Sequence, residues 1–131
     1  MSYYLQSLVE QMTDTPTWGW MITQDVFNEQ CAKDGLDLSS SAGVTGPGRA
    51  PDPILEELER MKDGGEHREG FHSATFVMFD DDGELMARGR LVWTGEAKPD
   101  EDAIFAPLFD YGRGCWGCTT IEYDDHPTWR N

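Results

Sequence analysis

The chain has 131 residues, and its 25 acidic residues against 10 basic ones give a formal net charge of −15. A chain of this length builds one hydrophobic core, so we expect a single domain. So acidic a surface repels nucleic-acid phosphates and anionic lipid headgroups, which argues against direct binding to nucleic acid or to a membrane. It favours basic partners or cations. Solubility alone would also explain the charge, and the arrangement of the acids in space decides between these two explanations.

The sequence predicts a cytoplasmic protein with reduced thiols. No apolar run approaches the roughly 20 residues of a membrane helix, and the N-terminus lacks the basic and apolar regions of a signal peptide. The three cysteines are an odd number in a chain without an export signal. This argues against a disulfide framework.

The predicted elements begin with a short helix over residues 1–14, where the apolar residues of "LQSLVEQM" repeat at helical spacing. The segment "TWGWMITQ" then alternates large apolar residues with others and predicts a strand. A helical turn around Val26 and Cys31 follows. The segment Gly35 to Pro51 is rich in Gly, Ser and Pro and predicts a loop with a brief extended piece at Val44.

The next helix has a clear predicted start. Asp52 is placed as the N-cap, Pro53 at the first helical position and Glu56 to complete a capping box. The apolar residues of "ILEELERM" make a buried stripe, while Glu56, Glu57 and Glu59 are predicted to face water. The "DGG" at residues 63–65 is predicted to end the helix.

Two alternating segments, "FHSATFVMF" and "ELMARGRLVW", are joined by Asp and Gly residues and predict a β-hairpin. In its turn, Gly83 would supply a positive φ and the acids would accept backbone hydrogen bonds. The residues Asp80 to Asp82 do not have the alternate spacing of a calcium loop, and consecutive carboxylates are expected to point in different directions. The alternation turns Arg88 and Arg90 away from the apolar face.

The segment from Glu96 to Gly114 is acidic and interrupted by Pro and Gly, and it is predicted to be a long connection. Its apolar residues Ile104, Phe105, Leu108 and Phe109 would pack against the sheet. A last strand is predicted over "CTTIEY". Residues 124–131 would form a tail after it.

The predicted fold is therefore α+β. It has a single antiparallel sheet of about four strands, with two short helices packed on one face. The whole chain, 1–131, forms one domain whose core spans residues 17–123.

The sequence contains no arrangement typical of an enzyme, since GxSxG, HExxH and a phosphate-binding loop are all absent. Cys115 and Cys118 form a CxxC, but it precedes a strand, whereas redox enzymes place this motif at the start of a helix. We therefore predict no catalytic residues, no cofactor and no bound metal. A four-ligand zinc site would need the weakly supported set Cys31, Cys115, Cys118 and His126.

Four segments carry a resemblance: "WGWMIT", "GVTGP", "FVMFDDDGELMARGRL" and "FAPLFDYGRGCWGCTTIEY". In order and wording they resemble a group of uncharacterised small acidic proteins encoded by actinobacteria and by their phages and plasmids. A WGWxIT start, a DDDGxLxxxGR hairpin and a PLxDxG…GCTxIxY end recur in that group. The resemblance covers Trp18 to Tyr123, while the N-terminal helix and Cys115 depart from the pattern. It implies an accessory factor of a mobile element, a class that includes inhibitors of host defence whose carboxylates imitate DNA phosphates.

The leading functional hypothesis is a non-enzymatic protein that binds a basic protein partner through an acidic face. A contiguous patch spaced like duplex phosphates would favour DNA mimicry, and an even scatter would favour solubility. The predicted acidic face consists of Glu56, Glu57, Glu59, Asp80, Asp81, Asp82, Glu84, Asp100, Glu101 and Asp102.

The alternative is an enzyme or a small-ligand binder with a pocket between the sheet and the loop 35–51. This hypothesis requires a deep cavity with convergent polar groups. Its predicted lining is Trp18, Trp20, Arg49, Arg90 and Trp93.

Overall fold

A computed structural model describes residues 17–36, 39–48, 50–62 and 66–129. The predicted helix over residues 1–14 and the predicted helix end at residues 63–65 lie outside the described residues. The described part of the chain contains one antiparallel sheet with helices against it, which confirms the predicted α+β class. Its strands are β1 Trp18–Asp25, β2 Thr45–Gly46, β3 His72–Asp80, β4 Leu85–Trp93 and β5 Cys118–Tyr123.

The sheet has the order β2-β1-β4-β3-β5, so the described strands number five rather than about four. The hairpin of β3 and β4 is confirmed, with Ala74 opposite Leu91 and Met78 opposite Ala87. Gly83 has the predicted positive φ, at 79°. Successive side chains of each strand point to opposite faces of the sheet. Both faces are apolar, because helices cover both of them.

The helices lie on both faces of the sheet, which corrects the prediction that they share one face. Helix α1 spans Val26–Lys33 and follows β1 directly, while α2 spans Asp52–Met61. The N-cap of α2 is Pro51 and no side chain caps the helix, which corrects the predicted cap at Asp52. One face of α2 packs on Met21 and Val92. A third helical segment covers the opposite face of the sheet, where Trp20 and Leu91 lie. No helix among the described residues is long and apolar enough to cross a membrane.

This third segment was predicted as a connection without helix. It runs without a break through α3 (Glu101–Ala106), a π-helical stretch (Pro107–Gly112) and α4 (Arg113–Trp116). Its buried Ile104 and Leu108 pack into the main core. Proline lacks a backbone N–H and disturbs the regular helical ladder, and π-helical turns are one way in which a helix absorbs such a disturbance.

The main core lies between this helical segment and the sheet, and the chain end beyond β5 contributes to it. Residues 124–131 were predicted to form a tail, but Trp129 is buried with its ring centroid 5.8 Å from that of Trp93 and 5.5 Å from that of Tyr123. The hydroxyl of Tyr123 donates a hydrogen bond of 2.7 Å to the carbonyl of Ile104. This bond ties β5 to α3 inside the core.

Candidate functional site

The candidate site is an open groove between the loop that carries Pro47 and the third helical segment. Its volume is about 620 Å³. Among the described residues, no lysine or arginine lines it. We call it the acidic groove, and its lining is Trp18, Pro47, Glu101, Asp102, Phe105, Ala106, Phe109 and Asp110.

Three elements position the side chains of the acidic groove. Trp18 begins β1 opposite Trp93 of β4 and is half-buried. The carboxylates of Glu101 and Asp102 are exposed on the first turn of α3, where negative charge is favoured by the positive end of the helix dipole. The π-helical stretch contributes Phe109, whose side chain is 54% exposed.

An acidic rim beside the exposed ring of Phe109 and the half-buried ring of Phe105 is a surface that attracts cations. Phe109 and Phe105 lie with their ring centroids 6.1 Å apart. The guanidinium carbon of Arg113 lies 5.5 Å from the centroid of Phe109. Aromatic faces carry negative charge density that attracts cations, and nearby carboxylates strengthen this attraction. The acidic groove is therefore suited to a ligand that is both apolar and positively charged.

The predicted acidic face does not form one patch. The hairpin turn with Asp80 to Asp82 lies at one end of β4, and Trp93 lies at the other end of this strand of nine residues. At about 3.3 Å per residue, the two ends are roughly 26 Å apart. Glu101 and Asp102 lie at the Trp93 end, because they line the acidic groove with Trp18. The exposed acids of α2 lie over the other face of the sheet.

Glu57 does not belong to an exposed face at all, which corrects its predicted position. Its side chain is 0% exposed. Its carboxylate accepts hydrogen bonds from Arg60 Nη2 at 2.7 Å and from the backbone N–H and Nε of Arg68, each at 2.7 Å. Glu57 therefore joins α2 to the chain segment that leads into β3, and it is engaged within the fold rather than available to a partner.

The hairpin turn has the hydrogen bonds predicted for it. Asp80 Oδ1 accepts the backbone N–H of Asp82 at 3.0 Å and that of Glu84 at 2.9 Å. Contrary to the expectation that the carboxylates point apart, those of Asp80, Asp81 and Asp82 each offer an oxygen within 4.8 Å of the others. Since Asp80 is engaged in shaping the turn, the cluster has a sufficient structural explanation.

The five residues of the predicted ligand pocket do not converge. Trp20 is buried, and its ring leaves no room for a side chain at position 46. Trp93 is also buried and donates its indole N–H to the carbonyl of Glu96 at 2.9 Å. Arg90 lies on the opposite face of the sheet, since it alternates with the buried Leu91 and Trp93. Arg49 lies outside the described residues, and Trp18 alone of the set lines the acidic groove.

The structure does not bring the weak zinc candidates together. Among the described residues, the ligand atoms of Cys31 and His126 do not lie close enough to those of Cys115 and Cys118 to share a metal ion. His126 stacks on Trp129 with ring centroids 3.7 Å apart, beyond the far end of β5 from Cys118. Burial, the carboxylate of Asp80 and the neighbouring Cys115 raise the pKa of Cys118 to about 12, so that this thiol stays protonated and is a poor redox nucleophile.

A second polar cluster, missed by the sequence analysis, lies at the other end of the third helical segment. Ser41 Oγ lies 2.8 Å from the hydroxyl of Tyr111 and 3.6 Å from the thiol of Cys115. The hydrogen bond with Ser41 lowers the pKa of Tyr111, but burial, Cys115 and the carboxylate of Asp25 outweigh it and raise the pKa overall. These contacts join the loop that carries Ser41 to the third helical segment.

Asp25 is the carboxylate that positions this loop. Its Oδ2 accepts the backbone N–H of Ser41 at 2.8 Å, and its Oδ1 caps α1 by accepting the N–H of Asn28 at 2.8 Å.

We expect Asp25→Ala to lower the free energy of unfolding by about 2 kcal/mol, because a helix cap and a buried hydrogen bond are both lost. Urea unfolding measures this change. Asp34→Ala, at the exposed C-terminal end of the same helix, is the control and should stay within about 0.5 kcal/mol; equal losses in the two variants would contradict the assignment.

Pro47 and Asp110 of the acidic groove were not predicted as site residues. Phe109 was predicted to pack against the sheet, and its exposure corrects that prediction. The spacing of Phe105 and Phe109, four residues apart, is typical of one helix face and was the available signal. Pro107 between them argued against a helix and concealed it. Comparison of the chain with family models, with curated proteins and with solved structures gave no match.

Proposed function

We propose that this protein is a non-enzymatic binding protein that holds a basic segment of another protein in the acidic groove. The observation that carries the proposal is the combination of the exposed Phe109 with exposed acidic side chains, without a basic residue in the described lining of the groove. Its net charge of −15 adds long-range attraction for a basic partner.

The shape and composition of the acidic groove support a peptide-like occupant. Buried enzyme and small-ligand sites enclose their ligand with convergent polar groups. The acidic groove is open instead and displays aromatic faces beside rim carboxylates, as surfaces that bind extended or helical segments do. A partner would gain most of its binding energy from apolar contact with Trp18 and Phe109, and the carboxylates would guide its approach.

The resemblance to proteins of actinobacterial phages and plasmids supports an accessory role for a mobile element. In that role the partner would be a basic protein of the host, including nucleic-acid-binding proteins. The separation of the acids favours recognition of a basic segment over imitation of a DNA duplex, since mimicry requires regularly spaced charges along one face. The acids at the hairpin turn then act mainly through the overall charge.

Binding of a short peptide of alternating alanine and arginine, measured by isothermal titration calorimetry, tests the proposal. We expect Asp102→Asn combined with Asp110→Asn to weaken binding about fivefold to tenfold, because two rim carboxylates are each worth up to about 0.7 kcal/mol. Raising the salt concentration should weaken binding to the unmodified protein for the same reason.

The matched control is Asp81→Asn combined with Asp82→Asn, which removes the same charge at the opposite end of the sheet. It should change the affinity less than about twofold. Equal losses of affinity in the two double variants would show that only the overall charge attracts the peptide, and they would overturn the proposed site. Absence of binding at low salt would overturn the proposal itself.

A further inference from the structure

We infer that the segment bound in the acidic groove presents an arginine side chain to Phe109, in the place that Arg113 occupies in the free protein. The inference rests on the proposed function and specifies the chemistry of the partner. Its basis is the environment of a single aromatic ring.

Because the side chain of Phe109 is exposed, it contributes little to the stability of the fold. Three large hydrophobic residues are exposed in the described part of the chain, and Phe109, at 54%, is the one that borders the acidic groove. A phenylalanine side chain that remains half in water forgoes much of the free energy of burial that it could contribute to stability. An exposed aromatic residue at the edge of a groove is typical of a binding surface.

Arg113 shows which kind of group this ring accepts. Its guanidinium carbon lies 5.5 Å from the centroid of Phe109. Asp110 is three residues away along the helical segment, yet none of the ion pairs that the structure describes includes Arg113. The guanidinium therefore lies against the aromatic ring without a paired carboxylate, as expected for the attraction between a cation and a π-system.

Two side chains already lie against the ring of Phe109. Arg113 is one, and Phe105 is the other, with an interplanar angle of 55° between the two rings. A cation brought by a partner would therefore compete with Arg113 for this ring. The exchange costs little, because Arg113 is exposed and can extend into water.

An arginine of the partner has an advantage that Arg113 lacks. It would approach from the groove, where the carboxylates of Asp102 and Asp110 line the wall. A guanidinium can stack on a ring and donate two parallel hydrogen bonds to a carboxylate, while the ammonium of lysine is a more strongly hydrated point charge. The groove should therefore prefer arginine to lysine.

Two peptides test this preference by isothermal titration calorimetry: alternating alanine and arginine, and alternating alanine and lysine. We expect the unmodified protein to bind the arginine peptide about threefold to tenfold more tightly. Phe109→Leu should reduce this difference about twofold to fivefold, which is the contribution of a cation over an exposed ring. Arg113→Gln should tighten binding of the arginine peptide about twofold or more, because the competing side chain is removed.

Phe27→Leu, at a phenylalanine that is 41% exposed on α1, is the control for the ring and should leave the ratio of the two affinities unchanged. Arg88→Gln, on the other face of the sheet, is the control for the lost positive charge. Thermal unfolding should show that Phe109→Leu remains folded.

The outcomes separate this inference from the proposed function. Equal affinities for the two peptides, or an unchanged ratio in Phe109→Leu, would overturn the arginine assignment while the groove still bound basic peptides. Equal effects of Arg113→Gln and Arg88→Gln on the affinity for the arginine peptide would also overturn the arginine assignment. If neither peptide binds, or if the carboxylates of the groove have no influence, the proposed function fails as well.

Discussion

Replacing Glu57 with glutamine is expected to lower the free energy of unfolding by about 3 kcal/mol. The glutamine amide would turn an N–H donor towards Arg60 or Arg68, both of which are donors themselves. Removing one partner from a buried ion pair commonly costs about 3–5 kcal/mol. The side chains of both arginines are about half exposed, at 40% and 53%, so solvent reduces the loss towards the lower end of that range.

The pH dependence of stability carries the same information. The hydrogen bond from Arg60, together with those from Arg68 and against the effect of burial, lowers the pKa of Glu57 from 4.5 to about 2. A carboxyl group whose pKa is depressed by folding stabilises the fold above its unfolded pKa, and the stabilisation is lost as the pH falls through the folded pKa. The difference in stability between the unmodified protein and Glu57→Gln should therefore narrow between about pH 4.5 and pH 2.

Urea unfolding at several pH values measures both effects, and the midpoint of thermal unfolding should fall by roughly 10 °C near neutral pH. Glu59→Gln is the matched control on the same helix. The side chain of Glu59 is 63% exposed and paired with Lys62, so its loss should stay below about 0.5 kcal/mol. A constant gap from neutral pH to about pH 2 would show that the charge of Glu57 is not the source of its effect.

The hairpin could be predicted from the sequence because its determinants are local. Alternation fixes which side chains share a face, and the Asp and Gly residues around Gly83 fix the turn. The burial of Glu57 also had a local signal that was not used. Glu57 lies three residues after Ile54 and four before Met61, which places it on the buried stripe of α2 rather than beside Glu56.

The third helical segment could not be predicted in this way, because local and tertiary preferences disagree there. Pro107 and Gly112 each disfavour a helix by the usual propensities. The structure shows what outweighs them. Leu108 is buried in the core, and a side chain at position 112 would meet the sulfur of Met78 at 2.7 Å, so the glycine permits close packing on the sheet.

The separation of the acidic residues into distant groups could not be predicted from the sequence either, for a different reason. Charged residues on a surface have no periodic pattern that reports their distance in space. The strand order and register determine that Asp81 and Asp102 lie at opposite ends of the sheet. The acidic groove likewise depends on the placing of Pro47 beside a helix that begins more than fifty residues later in the sequence.

Gly89→Ala is expected to lower the free energy of unfolding by about 3 kcal/mol. Gly89 lies in the middle of β4, between β1 and β3, directly opposite Phe76. A Cβ atom at this position would lie 2.5 Å from the carbonyl oxygen of Met21 and would collide with Cζ of Phe76. The Phe76 ring is 1% exposed and has nowhere to move, and the carbonyl belongs to the backbone of the neighbouring strand.

The control for Gly89→Ala is the same substitution at a helical glycine with open space around it. A Cβ atom on Gly114, in α4, would meet no atom within 4 Å beyond its chain neighbours and the backbone of its own helix, and Gly114 has no positive φ. Gly114→Ala should therefore stabilise the protein by about 0.5–1 kcal/mol through helix propensity and the reduced entropy of the unfolded chain. The free energies of unfolding of the two variants, measured with urea, should change in opposite directions. A loss below about 1 kcal/mol in Gly89→Ala would mean that β1 and β3 can separate at this point.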